Sequence, residues 1–294
     1  MEHFKGTGVA LVTPFKQNKE VDFDALEKLV NYVIDGGVDY LVVMGTTAES
    51  PVITFEEKQQ ILNTVVKVNN GRKKIVFGLG GNDTQKLLKE LDYVNQNKNI
   101  DAILSVTPYY NKPNQRALIT HFSVIAEQSA KPIILYNVPG RTGVNMLPET
   151  TLTLAQKFSN IIAIKEASGN FDQIMTILEH KPSNFEVISG DDGITLPLIC
   201  VGACGVISVV ANAIPAVFSE MVRLALAGKI DDAKKLHYET LELTRLAFAE
   251  GSPSGIKCAL YHLGIIQNNL RLPLIPVSDS LNIKIKEWVE KYIK

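Results

Sequence analysis

Short apolar segments rich in β-branched residues recur along the chain, and each ends in small, polar, proline or glycine residues. A buried strand of a parallel sheet has this composition, because helices cover both of its faces. Eight such segments follow one another at intervals of about 20 to 34 residues. We therefore predict eight strands, within residues 8–14, 40–45, 74–80, 102–108, 132–139, 161–167, 185–192 and 205–210.

The stretches between these segments show the apolar spacing of amphipathic helices. In the first of them Gly36-Gly37 marks a helix end, and one face carries Phe23, Leu26, Leu29, Val30, Val33 and Ile34. Eight strand–helix units over about 210 residues favour a closed (β/α)8 TIM barrel over an open doubly wound sheet. The glycine-rich turn of dinucleotide-binding folds is missing after the first strand, and GLGGND after the third segment lacks its third glycine.

The alternation of strands and helices stops near residue 212, and the rest of the chain has helical periodicity. We predict a catalytic barrel over residues 1–211 and a C-terminal helical region over residues 212–294 that packs on the barrel. The last stretch is rich in lysine, but its apolar side chains favour a docked helix over a membrane or nucleic-acid helix. Those side chains are Ile285, Trp288, Val289, Tyr292 and Ile293.

Composition and charge narrow the possible partners. The 294 residues are 46% hydrophobic and 21% charged, and a formal charge of -1 gives no general attraction to nucleic acid or anionic lipid. No apolar run is long enough to cross a bilayer, and the N-terminus does not resemble a signal peptide. Three cysteines are expected to be reduced, buried thiols. We expect a cytoplasmic protein whose partner is a small molecule or another copy of itself. The cysteines are Cys200, Cys204 and Cys258.

Active sites of (β/α)8 barrels form at the carboxyl ends of the strands, so the polar residues that follow the eight segments are the candidates. Neither carboxylate pairs nor histidine clusters dominate this set, whereas hydroxyl groups and one arginine do. The candidates are Thr46, Thr47, Glu49, Ser50, Asn82, Thr107, Tyr109, Tyr110, Tyr136, Asn137, Arg141, Thr142, Lys165, Glu166, Gly190, Asp191 and Asp192.

Lys165 ends the sixth apolar segment, IIAIKEA, at a place where a buried strand would not ordinarily hold an ammonium group. Side chains alternate along a strand, so Ala163 and Lys165 face the barrel interior if the isoleucines face the helices. Loss of water there favours the neutral amine, which can attack a carbonyl carbon and form a Schiff base. The alternative is a structural lysine paired with a carboxylate in the barrel core.

The neighbouring candidates favour the chemical interpretation. The hydroxyls and backbone amides of Thr46-Thr47 suit a small carboxylate, and the guanidinium of Arg141 suits a second one. Tyrosine hydroxyls at Tyr109-Tyr110 can pass protons. Each group also has a structural interpretation, as strand-end capping for the threonines and aromatic packing for the tyrosines. Together with Lys165, the set favours condensation of a 2-oxo acid with a carboxylate-bearing partner.

Six motifs carry a resemblance to a known family: GTTAES, TPYYNKP, YNVPGRTG, IKEASGN, SGDDG and GVISV, in this order. Over roughly residues 6–280 the chain resembles the dihydrodipicolinate synthase family, within the pyruvate-dependent class I aldolases that include N-acetylneuraminate lyase. The resemblance implies a lyase that condenses pyruvate with L-aspartate 4-semialdehyde to give 4-hydroxy-tetrahydrodipicolinate. This reaction belongs to the diaminopimelate route of lysine biosynthesis.

The same resemblance implies roles for the matching residues. Lys165 would form the Schiff base with pyruvate, and Arg141 would bind the semialdehyde carboxylate. Tyr110 would reach across a dimer interface into the neighbouring site. No metal or organic cofactor is implied, and the assembly would be a homotetramer built as a dimer of dimers. The implied catalytic residues are Lys165, Tyr136, Thr46 and Tyr110, and the implied substrate-binding residues are Thr47, Arg141, Ile207 and Gly190.

The sequence departs from the family pattern in three places. Ala48 replaces the usual glycine of the GTTGES turn, and it would be strained at a positive φ, so we expect a differently shaped turn. The segment EGSPSGIK replaces a segment like NPIPVK, and we expect no effect of this on the chemistry. The feedback site for lysine is altered, which predicts weak or absent inhibition by lysine. That site keeps Ser50, Asn82 and Tyr109 but has Phe55, Lys58 and Lys86 at its other positions.

Two other functions are compatible with parts of this pattern. A pyruvate-dependent aldolase acting on a sugar acid, such as N-acetylneuraminate or 2-keto-3-deoxygluconate, would share Lys165 and Tyr136. It would have less use for Arg141 and for the Tyr109-Tyr110 pair. A non-catalytic barrel that only binds a 2-oxo acid would not need Lys165, Tyr136 and Thr46 together.

Overall fold

The structure is a computed structural model that describes residues 4–293. Its eight strands are parallel neighbours in chain order and close into a barrel, as predicted. Each strand lies in or overlaps its predicted segment, although most are shorter. The strands are β1 (Gly6–Ala10), β2 (Tyr40–Val43), β3 (Lys74–Gly78), β4 (Ala102–Val106), β5 (Ile133–Asn137), β6 (Ile161–Glu166), β7 (Glu186–Ser189) and β8 (Gly205–Ser208).

Helices connect successive strands and then continue to the C-terminus, which confirms the (β/α)8 prediction. Short 3-10 turns follow several strands, including Thr46–Ala48 and Ser50–Val52. The helices are α1 (Phe23–Asp35), α2 (Phe55–Asn69), α3 (Thr84–Gln96), α4 (Gln115–Gln128), α5 (Pro139–Thr142), α6 (Pro148–Lys157), α7 (Phe171–His180), α8 (Thr195–Cys200), α9 (Pro215–Leu226), α10 (Ile230–Phe248), α11 (Ser254–His262) and α12 (Asp279–Tyr292).

Helix α1 shows how sequence and packing agree. The Asp22 side chain caps its first turn by accepting a hydrogen bond from Ala25 N at 3.1 Å. The helix ends at Gly36, and Gly37 has a φ of +85° that a residue without a side chain adopts readily. Each buried aliphatic side chain of its apolar face stabilises the fold by about 1.5–3 kcal/mol. These residues are Leu26, Leu29, Val30, Val33 and Ile34.

The chain divides into two compact units that are not the two predicted regions. The central unit consists of residues 4–5 and 74–207 and contains β3 to β7 and β8 up to Ile207. The flanking unit consists of residues 6–73 and 208 onward and contains β1, β2 and the C-terminal helices. The predicted division into residues 1–211 and 212–294 stays a prediction about domains, and its outer ends, residues 1 and 294, lie outside the described residues.

In the flanking unit α12 packs against α10 and α11, which confirms a docked terminal helix. Its residues Ile285, Trp288 and Val289 are buried, but Ile293 is exposed, contrary to the prediction. It follows the last helical residue, where packing against α10 and α11 ends. No helix among residues 4–293 is long and apolar enough to cross a membrane.

The three cysteines are all free thiols, as predicted. Cys204 and Cys258 are buried, and burial raises the pKa of Cys204 to about 12 and that of Cys258 to about 11. The expectation that all three are buried is wrong for Cys200. It ends the short helix α8 with its side chain exposed, although the residues around it in the sequence are apolar.

Candidate active site

Lys165 and Tyr136 lie side by side at the carboxyl ends of β6 and β5. The register pairs Tyr136 with Lys165 across the two parallel strands, so both side chains project from the same face of the sheet. Lys165 Nζ lies 4.3 Å from the centroid of the Tyr136 ring, within range of a cation–π interaction. The two side chains are buried, with 4% and 6% of their surface exposed.

The alternative interpretation of Lys165 predicted a carboxylate partner. Across residues 4–293 no Asp or Glu forms an ion pair with Lys165, and the Tyr136 ring is its only side-chain interaction there. A buried lysine without a counter-ion is uncommon, because an unpaired charge is costly to remove from water. Lys165 is therefore not a structural half of a salt bridge within the described chain.

Glu166 follows Lys165 and points to the opposite side of the strand. Its carboxylate accepts hydrogen bonds from Asn137 Nδ2 (3.1 Å to each oxygen), Gln173 Nε2 (3.0 Å) and Ser168 N (2.8 Å). Burial raises the pKa of Glu166, and these donors work in the opposite direction because they stabilise the charged form. The residue after the candidate nucleophile is thus held rigidly by neutral donors.

Arg141 lies in the loop between β5 and α6, on the one-turn helix α5. The hydroxyl of Thr142 anchors this loop, since its single proton can be donated to Val144 O at 2.9 Å or to Val138 O at 3.2 Å. Thr107 Oγ1 donates to Thr142 Oγ1 at 3.3 Å. Arg141 itself is exposed. Its guanidinium is of the kind that binds a carboxylate through two parallel hydrogen bonds.

Gly190 and Ile207 lie at the ends of β7 and β8. The amide of Gly190 donates to Glu166 O at 2.8 Å, which joins the chain after β7 to the end of β6. A side chain at Gly190 would place its Cβ 2.7 Å from the Cβ of Ala167, so only glycine allows this approach. Ile207 is buried within β8. Both predicted residues therefore lie at strand ends of the central unit.

The tyrosine pair after β4 is split between two environments. Tyr110 is 87% exposed and has a φ of +72°, a conformation that is uncommon for a residue with a large side chain. Tyr109 is half-buried, and its carbonyl accepts a hydrogen bond from Asn82 Nδ2 at 3.2 Å. The predicted regulatory residues Asn82 and Tyr109 are thus in contact.

In the flanking unit, Thr46 and Thr47 begin the turn that follows β2. Thr46–Ala48 and Ser50–Val52 are consecutive 3-10 helices joined at Glu49. Ala48 does not have a positive φ, so its side chain causes no backbone strain, and the different turn shape stays a prediction. Met44 and Glu49 have positive φ values instead, 61° and 59°. The methyl group of Ala48 is buried, and its carbonyl accepts a hydrogen bond from Thr13 Oγ1 at 2.7 Å.

Lys257 is a second buried lysine, and the sequence patterns did not reveal its role. Its Nζ donates to Glu49 Oε1 at 2.5 Å and to Asn269 O at 2.9 Å, and Arg271 N donates to Glu49 Oε2 at 3.0 Å. Burial lowers the pKa of Lys257 to about 8, although the nearby Glu49 carboxylate offsets part of this effect. We expected the segment EGSPSGIK to have no effect on the chemistry. Through Lys257 it instead anchors the turn that carries Thr46 and Thr47.

A closed (β/α)8 barrel with polar side chains gathered at the carboxyl ends of its strands defines the class of the protein as a barrel enzyme. Comparison with known proteins then gives its family. The model of the "Dihydrodipicolinate synthetase family" matches residues 3–292. The chain belongs to this family.

Individual relatives agree with this assignment. The chain is 54% identical over 285 residues to the 4-hydroxy-tetrahydrodipicolinate synthase of Parabacteroides distasonis, covering 97% of this chain and 96% of the relative. It is 51% identical to the Flavobacterium psychrophilum enzyme of the same name, over 100% of both chains. A crystal structure of dihydrodipicolinate synthase from Aquifex aeolicus superposes with a TM-score of 0.95 at 41% identity, covering 99% of this chain and 98% of that one.

Proposed function

We propose that the protein is a lyase that condenses pyruvate with L-aspartate 4-semialdehyde to give 4-hydroxy-tetrahydrodipicolinate. The relatives that match its full length carry the name of this synthase. The observation that supports the chemistry in this chain is the buried Lys165, which lies against Tyr136 without a carboxylate partner in the described residues. Such a lysine is available as a nucleophile.

The reaction begins when the Lys165 amine attacks the keto carbon of pyruvate. Loss of water gives an imine that withdraws electrons, so the pyruvate methyl group loses a proton and becomes an enamine carbon. That carbon attacks the aldehyde of the second substrate and forms the new carbon–carbon bond. The substrate amine then attacks the imine carbon, closes the ring and releases Lys165 as the free amine.

Proton transfers and substrate carboxylates account for the other proposed residues. Tyr136 is in contact with Lys165, and we assign it the proton transfers at the imine nitrogen. Thr46 and Tyr110 complete the proposed relay. Thr47 would hold the pyruvate carboxylate with the backbone near Ile207 and Gly190, and Arg141 would bind the semialdehyde carboxylate through its guanidinium.

Assembly and location are further parts of the proposal. We assign a homotetramer built as a dimer of dimers, in which the exposed side chain of Tyr110, a residue with a positive φ, reaches the site of a neighbouring subunit. Sedimentation analysis and turnover of Tyr110→Phe test this assignment. A monomer in which Tyr110→Phe keeps wild-type turnover would contradict it. The cytoplasmic location and the helical region packed on the barrel also remain proposals.

A coupled assay tests the proposed reaction. Pyruvate and aspartate semialdehyde are supplied together with dihydrodipicolinate reductase and NADPH, whose oxidation reports the product. Turnover by the wild type and its loss in Lys165→Ala are expected, while Lys157→Ala, an exposed lysine of the same unit, should keep activity. Absence of turnover with the semialdehyde, combined with imine formation from pyruvate, would shift the assignment to a sugar-acid aldolase.

A further inference from the structure

Asn137 lies opposite Glu166 in the register of β5 and β6, one residue beyond the Tyr136–Lys165 pair. Both are buried, and neither would contact the reacting atoms, because side chains alternate between the two faces of a strand. On the far face they make a polar network with Asn145 and Gln173. A displacement of this pair would be transmitted along the two strands to the lysine and the tyrosine.

The hydrogen bonds to Glu166 favour its charged form. Each of these contacts places an N–H donor against a carboxylate oxygen, from Asn137, Gln173 and Ser168. The Ser168 side chain also hydrogen-bonds Glu166, and together these groups stabilise the charged carboxylate against burial, which raises the pKa of Glu166. No lysine or arginine of residues 4–293 forms an ion pair with Glu166. The Glu166 side chain is therefore held by uncharged hydrogen-bonding groups.

The network also forms hydrogen bonds to both ends of the loop that carries Arg141. Asn137 Oδ1 accepts a hydrogen bond from Met146 N at 2.9 Å, and Asn137 Nδ2 donates to Asn145 Oδ1 at 2.8 Å. Asn145 Nδ2 in turn donates to Gln173 Oε1 at 2.8 Å. Asn137 begins this loop, and Asn145 ends it. One buried network thus joins the ends of β5 and β6 to the loop between β5 and α6.

We propose that Glu166 is a positioning residue for the reaction: its carboxyl group orients the amide groups that fix Lys165, Tyr136 and the Arg141 loop in their reactive arrangement. This inference rests on the proposed function and extends it to a residue that the substrates do not touch. Displacements of about 1 Å in a reactive arrangement can lower rates by about 100-fold, so the effect is large enough to measure.

The first test is Glu166→Gln, which keeps the shape of the side chain but places an amide donor against the Gln173 donor. We expect kcat to fall about 10- to 100-fold with little change in the KM for pyruvate, because a misplaced lysine slows the reaction more than it weakens ground-state binding. The rate of imine formation, measured by borohydride trapping with pyruvate alone, should fall in parallel. Glu186→Gln is the matched control, because Glu186 lies at the amino end of β7 and should leave both rates unchanged.

The second test exchanges the two side chains in the double variant Glu166→Gln/Gln173→Glu. The carboxylate then at position 173 can accept from the amide introduced at position 166 and from the amide of Asn145, so the conflict between donors disappears. The exchange loses only the longer contacts of Gln173 Nε2 with Met146 O and Asn145 Oδ1, both at 3.3 Å. We expect this exchange to recover most of the kcat lost in the single variant. A residue that merely stabilises the fold would not show such recovery at unchanged thermal stability.

The outcomes separate this inference from the proposed function. A wild type without turnover of the semialdehyde would contradict the proposed function, whereas the trapping rate with pyruvate would still report on Glu166. A wild-type kcat and trapping rate in folded Glu166→Gln would overturn the inference. If that variant does not fold, Gln173→Met decides, because it removes one donor to the Glu166 carboxyl group: a lower kcat and trapping rate in the folded variant support the role of Glu166, and wild-type values overturn it.

Discussion

Lys257 Nζ lies 2.5 Å from Glu49 Oε1, and both side chains are completely or almost completely buried. Lys165 is also buried, but it faces a tyrosine ring instead of a carboxylate. The two buried lysines therefore differ in their partner: a carboxylate for Lys257 and an aromatic ring for Lys165. Lys257 is paired with a carboxylate and holds a turn, and Lys165 is the nucleophile that we propose.

The Lys257–Glu49 pair should contribute strongly to stability. Lys257→Met leaves the Glu49 carboxylate buried without its cation, so the free energy of unfolding should fall by about 3–5 kcal/mol. Urea unfolding followed by circular dichroism measures this change. Lys67→Met is the control, because the Lys67–Glu27 pair is largely exposed and should contribute at most about 1 kcal/mol. Equal effects of the two substitutions would contradict the assigned role of Lys257.

His121 should make the protein less stable in mild acid. Burial lowers its pKa to about 4, and its Nε2 has no hydrogen-bond partner among the described residues. The unfolded chain has a histidine pKa of about 6.5, so between these values the unfolded state binds the extra proton. Stability is thus lost as pH falls from about 6.5 to about 4, by up to about 3 kcal/mol for this group.

His121→Asn tests this prediction because its amide can keep the hydrogen bond that joins His121 Nδ1 to Thr84 Oγ1 at 2.8 Å. The urea midpoint of the wild type should fall more steeply than that of the variant between pH 7 and pH 5. Parallel pH dependences for the two proteins would show that His121 does not control stability in this range.

Inhibition by free lysine should be weak or absent. Lys86 lies exposed in the first turn of α3, close in sequence to Asn82, which contacts Tyr109. Its positive charge would repel the ammonium groups of a lysine ligand. Steady-state assays with added lysine measure the inhibition. The Lys86→Glu variant should be inhibited at lower lysine concentrations than the wild type. Strong inhibition of the wild type at sub-millimolar lysine would contradict the prediction.

The barrel and the position of Lys165 could be predicted because both depend on local patterns. Apolar β-branched runs define the strands, and Lys165 interrupts the sixth of these runs. Motif order allowed the family to be identified from the same information. Alternation along the strand also placed Lys165 on one face and Glu166 on the other, as the structure has them.

The supporting contacts could not be predicted, because they join residues that are distant in sequence. Glu49 and Lys257 are 208 positions apart, and Asn137 and Glu166 are 29 apart. A lysine within the apolar helical stretch SGIKCAL was the one local signal of a buried charge. The position of the positive φ in this turn could not be predicted for a related reason: it falls at Glu49, whose side chain is held by the distant Lys257.

The most direct test of the account locates the pyruvate adduct on the protein. The enzyme is incubated with pyruvate, reduced with borohydride and digested, and the modified lysine is identified by mass spectrometry. The account predicts one adduct, on Lys165, with Lys257 unmodified in the same sample because Glu49 and burial protect it. Absence of an adduct, or an adduct on a lysine other than Lys165, would contradict the assignment of Lys165 as the nucleophile.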